Sequence, residues 1–474
     1  MELTRTIPTE AIQLLTASEA SEYRLIPFHR EDTEVRCYGA AKRDYTDAVT
    51  ELEVLYGWTV HIEPIAEEEL QRLLLQYYRP DTVIKIPAAS RSTNISSGQG
   101  FLLSLIGEAF RDYASDIHIE PYENRCRIRL RIDGKLTERY IVEQAQYAPL
   151  VNQIKILANL DISEKRLPQD GRILYDRDGN KFDVRVSTLP TIYGEKIVLR
   201  LLTRHVELLE LKNLGFSDRQ YDDYCRAIVR PFGMVLICGP TGSGKSTTLY
   251  ATLRRLNKTS DNILTIEDPI EYTLEGVNQT QLKEEIGLTF TSALRTFLRQ
   301  DPDIIMLGEI RDADTAQMAV RSSLTGHLLF STIHTNTAWG AVARLADMDV
   351  HSYLVANTLV MTVAQRLVRL LCPHCKRETA TTGEVRRLLP DRKFGTHFEP
   401  VGCEHCFYTG YSGRRAVYEV IPMDDELSAA ARCGQTDIAP LLAARGIPTL
   451  KEAVVGLFLR GETSLDELIP LLNY

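Results

Sequence analysis

The sequence predicts an α/β protein whose largest domain is a parallel sheet with helices on both faces, and three observations predict it. The apolar run MVLIC (234–238) opens directly into the glycine-rich loop GPTGSGKST (239–247). Three further short apolar runs follow: NILTI (262–266), DIIML (303–307) and HLLFST (327–332). Helix-compatible sequence separates each run from the next, and parallel neighbours need such crossovers, while strands covered on both faces read as unbroken apolar runs.

Taken in chain order, residues 1–86 read as a small N-terminal α/β module. Short apolar runs (Leu25 to Phe28, Val54 to Tyr56) precede a charged helical segment, Glu67 to Tyr78, whose leucines suit one packed face. Residues 87–100, containing AASRSTNISSGQG, are rich in Ser, Gly and Asn and read as a linker. Residues 101–205 read as an α+β domain. In RCRIRLRIDGK (125–135), Cys126, Ile128, Leu130 and Ile132 alternate with arginines, the signature of a strand with one dry face, and Asp133-Gly134 is a hairpin turn. A second alternation, KFDVRVSTL (181–189), follows Asp178-Gly179. The parallel sheet occupies residues 206–371, a cysteine-paired insert 372–406, and a helical C-terminal part 407–474.

Composition excludes several classes. With 474 residues the chain has room for about three or four domains. At 44% hydrophobic and 25% charged it is an ordinary globular chain rather than a disordered or fibrous one. The most apolar long stretch, Tyr353 to Leu371, carries Asn357, Gln365, Arg366 and Arg369, so no membrane span is expected. The N-terminus MELTRTIPTEAIQ lacks a basic region followed by an apolar one, which predicts a cytosolic location. Lys+Arg 55 against Asp+Glu 64, a net charge of −9, argues against nucleic acid as the partner.

Gly239, Pro240, Thr241, Gly242, Ser243, Gly244, Lys245, Ser246 and Thr247 form a phosphate loop with the required strand before it and helix after it. Glycines let backbone N–H groups turn inward around phosphate, the helix presents its positive end, Lys245 adds a point charge, and Ser246 offers a hydroxyl to Mg²⁺. NKFD (180–183) matches a guanine-reading pattern, but it precedes the loop, and no Asp after position 247 has a Gly three residues later. ATP is therefore the expected nucleotide. Hydrolysis needs carboxylates, and two predicted strands end in them: DIIMLGE at Glu309, with Gly308 where an Asp is usual, and TIEDPIE at Glu267 and Asp268. GHLLFSTIHTN (326–336) places His327 and His334 at the two ends of a strand, His334 at the end expected near the γ-phosphate.

Of nine cysteines, Cys37, Cys126, Cys225, Cys238 and Cys433 are scattered, whereas Cys372/Cys375 and Cys403/Cys406 form two C-x-x-C pairs separated by 27 residues. Tetrahedral Zn²⁺ takes four soft ligands, and two such knuckles supply them, whereas a redox dithiol needs only one pair. His374 and His405 are possible competing ligands.

Together with ASDIHIEPY (114–122), DISEKRLPQDGRI (161–173), RVSTLPTIYGEK (185–196), TIEDPIEY (265–272) and LRQDPDIIMLGEIRD (298–312), these motifs resemble the type II secretion ATPase family, a relative of the type IV pilus assembly ATPases. The resemblance covers residues 101–474, and Gly308 fits the family pattern. It implies a RecA-like P-loop domain preceded by a PAS-like domain, and a cytoplasmic homo-hexamer peripheral to the inner membrane that uses ATP and Mg²⁺. It implies that Glu267 is the general base and Glu309 the acid near Mg²⁺. Arg172 and Arg185 of the preceding domain, with Arg295 and Arg299, are the arginines it offers for phosphate. The N-terminal module would dock on an inner-membrane secretion component, so membrane association would be indirect. The implied work is pseudopilus assembly and protein export, with pilus extension as the alternative. A nucleic-acid motor and a nucleotide-binding scaffold without turnover are the competing classes.

Overall fold

The computed structural model describes residues 7–15, 17–78, 98–177, 179–202, 210–390, 394–406 and 409–472. The chain divides into two compact units. One comprises Met1–Thr203, Cys372–Cys375 and Val401–Tyr411; the other comprises Arg204–Leu371, Lys376–Pro400 and Ser412–Tyr474.

The first unit begins with three strands, β1 (Ile26–Glu31), β2 (Glu34–Ala40) and β3 (Thr59–Ile65). β1 runs antiparallel and β3 parallel to the central β2, and the helix expected at 67–78 is present as Glu67–Tyr77. The expected linker lies outside the described residues up to 97, and from Gly98 the chain is already helical (Gly98–Arg111).

Six antiparallel strands follow: β4 (Ala114–Pro121), β5 (Arg125–Ile132), β6 (Lys135–Glu143), β7 (Gln169–Arg177), β8 (Asn180–Thr191) and β9 (Gly194–Leu202). They lie in the order β6-β5-β4-β9-β8-β7. The alternation read in 125–135 places Cys126, Ile128 and Leu130 in a core with Leu102, Ile106 and Ile154 of the helices Gly98–Arg111 and Gln144–Leu157. Asp133 and Gly134 both take positive φ, 48° and 82°, as a two-residue hairpin turn demands. Near the N-terminus, the Gln13 side chain donates to the Ile141 carbonyl at 3.1 Å and accepts from its N–H at 2.8 Å, on the edge strand β6. Glu10 pairs with Arg125 beside it.

The second unit holds β10 (Gly233–Cys238), β11 (Ile263–Glu267), β12 (Asn278–Gln281), β13 (Ile304–Leu307), β14 (Leu328–Ile333), β15 (Leu359–Leu371), the short antiparallel pair β16 (Arg377–Ala380) and β17 (Thr396–Glu399), and β18 (Tyr411–Pro422). The seven-stranded sheet has the order β12-β11-β13-β14-β10-β15-β18, and each neighbouring pair from β12 to β15 is parallel. Alternate residues of one strand enter different cores: Met234, Leu236 and Cys238 one, Val235 and Ile237 the other. Both faces are therefore covered, which is why the run carries no polar residue. Reading by apolar runs misses three strands. β12 is short and polar, and β15 and β18 carry charged residues inside their spans.

The cysteine pairs group with the first unit, whereas the excursion between them, 376–400, groups with the second. No helix among the described residues is long and apolar enough to cross a membrane.

Candidate nucleotide site and tetracysteine centre

The order β11-β13-β14-β10 brings four strand ends to one edge of the second unit. β10 runs into the phosphate loop, Glu309 follows β13, His334 follows β14, and Glu267 closes β11. Parallel strands deliver their carboxyl ends to a common crevice, so residues far apart in sequence meet here.

The loop fits an anion. Gly244 has φ +88° and precedes the helix Lys245–Leu256 without a side-chain cap, so the first helical N–H groups are left for a ligand. A Cβ on Gly239 (φ +151°) would lie 2.6 Å from both the Gln365 carbonyl oxygen and Ser243 Oγ, and one on Gly244 2.8 Å from Gln365 Nε2. The loop is thus pressed from behind by β15. Ser243 is 3% exposed, and its buried hydroxyl has no protein partner. Lys245 Nζ donates to the carbonyls of Gly239 at 2.8 Å and Pro240 at 3.0 Å, folded over the loop it serves. Burial lowers its pKa, while the charge of Glu309 works in the opposite direction. Pro240, Thr241, Gly242 and Ser246 are exposed and Thr247 is half-buried, so the Ser246 hydroxyl is open to a metal ion.

The acids are held differently. Glu309 pairs with Arg311 and lies 3.2 Å from His334 Nε2, and Arg311 also reaches Asp268 at 3.3 Å. Glu267 is buried and accepts from Thr265 Oγ1 at 2.6 Å, Gln279 Nε2 at 3.0 Å and the Tyr250 hydroxyl. His327, at the opposite end of β14, contacts the Ser322 carbonyl at 3.0 Å and takes no part in this edge.

The remaining arginines have partners of their own. Arg295 and Arg299 are exposed, Arg299 donating to the Arg295 carbonyl at 2.9 Å. Arg172 and Arg185 belong to the first unit, where they face each other across β7 and β8 and Arg172 Nε donates to Asp183 at 2.6 Å.

Sequence reading passed over Tyr250, Thr265, Gln279 and Arg311. It also left Gln365 and Arg366 without a role, although two polar residues in the most apolar stretch were a usable signal. Gln365 accepts from Thr248 at 2.8 Å, and Arg366 donates to the Asn336 carbonyl at 2.9 Å, tying β15 to the phosphate-loop helix and to the segment after His334.

The four cysteines converge in the first unit. Their Sγ atoms lie within 4.8 Å of one another, the only such cluster of potential ligands among the described residues. Cys372–Cys403, Cys375–Cys406 and Cys403–Cys406 are separated by 3.7, 3.6 and 3.8 Å. A tetrahedron with Zn–S bonds of about 2.3 Å has edges of about 3.8 Å, so the set fits Zn²⁺. Backbone N–H groups of Cys403 and Gly410 point at Cys406 Sγ at 3.2 and 3.3 Å. Burial pushes that thiol up, but these donors, with the Cys375 and Cys403 side chains, outweigh it and the net shift is downward, whereas burial pushes the Cys372 and Cys375 thiols up. The exposed rings of His374 and His405 stand 4.1 Å apart.

A family profile described as "Type II/IV secretion system protein" matches residues 96–470. The chain is 40% identical over 447 residues to the type II secretion system protein E of Aeromonas hydrophila, covering 88% of this chain and 89% of that protein. It is 45% identical over 370 residues to the type II secretion system ATPase E of Vibrio cholerae, covering 77% and 73%. Among solved structures, the pilus retraction motor PilT with bound ADP aligns with a TM-score of 0.55 at 25% identity, over 78% of this chain and 96% of that one.

Proposed function

The chain belongs to the family of type II/IV secretion system proteins, and from that premise we propose that it is an ATPase driving pseudopilus assembly and protein export in a type II secretion system. The observation that carries this reading is the convergence of the phosphate loop, Glu309, His334 and Glu267 on one sheet edge.

In this reading the amides at the start of the helix Lys245–Leu256, the Ser243 hydroxyl and Lys245 grip the β- and γ-phosphates, Lys245 exchanging the loop carbonyls for phosphate oxygens. Mg²⁺, held through Ser246, would neutralise charge on the phosphate oxygens. Glu267 is the general base that orients and deprotonates water. Glu309 stands near the metal, oriented by Arg311, and His334 beside it shares a proton or reports on the γ-phosphate. Arg172 and Arg185, with Arg295 and Arg299, are the arginines that reach phosphate when domains or subunits close. The working form is a cytoplasmic homo-hexamer peripheral to the inner membrane. Residues 1–86 dock it on a secretion component there, and the four cysteines hold a structural Zn²⁺.

Lys245→Ala abolishes Mg²⁺-dependent phosphate release from ATP by the full chain; retained turnover refutes the reading. Co-purification of the full chain, but not of one lacking residues 1–86, with inner-membrane secretion proteins identifies the apparatus. Recovery of pilus-assembly proteins instead makes it a pilus extension motor.

A further inference from the structure

Glu267 closes β11 with both carboxylate oxygens engaged. Oε1 accepts from Thr265 Oγ1 at 2.6 Å and Gln279 Nε2 at 3.0 Å, and Oε2 accepts from the Tyr250 hydroxyl. The two longer side chains are themselves anchored. The Tyr250 oxygen accepts from the N–H groups of Glu271 at 3.1 Å and Tyr272 at 3.4 Å, and its ring stands edge-on to that of Tyr272 at 5.4 Å. Gln279 donates its other amide proton to the Tyr272 carbonyl at 2.9 Å and accepts from the Leu274 N–H at 2.7 Å. Tyr250 is 1% exposed, and burial, followed by the charge of Glu267, holds its phenol far above the ordinary value, so it remains a donor throughout the working pH range.

A carboxylate offers about four lone-pair sites, so three donors leave about one. The terminal torsion of a glutamate is otherwise broad, and a freely turning base spends little time aligned with its proton. Tyr250 also sits on the helix Lys245–Leu256, whose first turn belongs to the phosphate loop. We propose that Tyr250 and Gln279 are positioning residues that lock the Glu267 carboxylate with its remaining lone pair toward the attacking water, Tyr250 tying that orientation to the phosphate-binding helix. The proposal deepens the reading of Glu267 as general base and rests on it.

Tyr250→Phe removes a single oxygen and keeps the ring; Gln279→Met keeps the length and removes the donors. Steady-state ATP hydrolysis by the full chain, followed over a range of MgATP at one fixed protein concentration, separates kcat from KM. A lost hydrogen bond to a charged group is expected to lower kcat about tenfold or more in each variant, with KM for MgATP within about twofold of wild type. Glu267→Gln is measured alongside. If it retains turnover, the assignment of the base fails. If it is inactive while both Tyr250→Phe and Gln279→Met keep kcat within about twofold, or raise KM alone, only the positioning role is overturned. Should Tyr250→Phe melt at the assay temperature, Gln279→Met decides by the same criterion.

Discussion

Gly239 and Gly242 belong to one loop and make different demands. A Cβ on Gly239 would collide with the Gln365 carbonyl, a backbone atom that cannot swing away, whereas a Cβ on Gly242 (φ +80°) meets nothing within 4 Å. Gly242→Ala should therefore meet no protein atom and cost the strain of a left-handed alanine, about 1–2 kcal/mol of stability. Gly239→Ala must displace the loop and should weaken MgADP at least about fiftyfold, since phosphate-binding amides tolerate little misplacement. Calorimetric titration and a thermal melt of both variants check this; unaltered affinity in Gly239→Ala defeats it. Residue by residue, the loop, the two acids and the cysteines were legible because each is a local pattern with its own chemistry. Tyr250, Gln279 and Arg311 were not, because an ordinary tyrosine, glutamine or arginine shows its partner only once helix, strand and loop are packed together.

Elements were legible in proportion to how one-sided their surroundings are. β5 shows strict alternation because one face packs on helices and the other is wet, and β10 shows an unbroken run because both faces are dry. β15 shows neither, since Gln365 and Arg366 leave the apolar pattern to serve the phosphate loop and its neighbours. In the proposed reading, the cysteine turns are an element whose glue is a metal rather than a core. Purified protein should contain about one Zn per chain. Stripping it with a chelator should speed amide exchange across 372–375 and 401–411 while the helix Lys245–Leu256 keeps its protection. Metal-free protein with the same exchange pattern would remove zinc from the description.

Across the whole molecule, the α/β class could be read from the apolar runs and alternations, because strands with two dry faces or one leave those patterns. The assignment of the cysteine turns to the first unit could not, since it depends on contacts distant in sequence. Assembly is a property of this scale. If the working form is a ring, turnover per chain should rise with protein concentration and level off as oligomers fill, followed by light scattering on the same samples; turnover independent of concentration would make each chain a self-sufficient enzyme.

The Gln13 amide, seated on both backbone groups of Ile141, does for the outermost strand of the six-stranded sheet what one residue of a seventh strand would do. A bare β border invites neighbouring molecules to zip on to it, a hazard that grows with crowding. Corked at Ile141 by its own N-terminal segment, this border has fewer open groups to offer, and a chain cut between residues 15 and 26 should aggregate more readily, as light scattering would show.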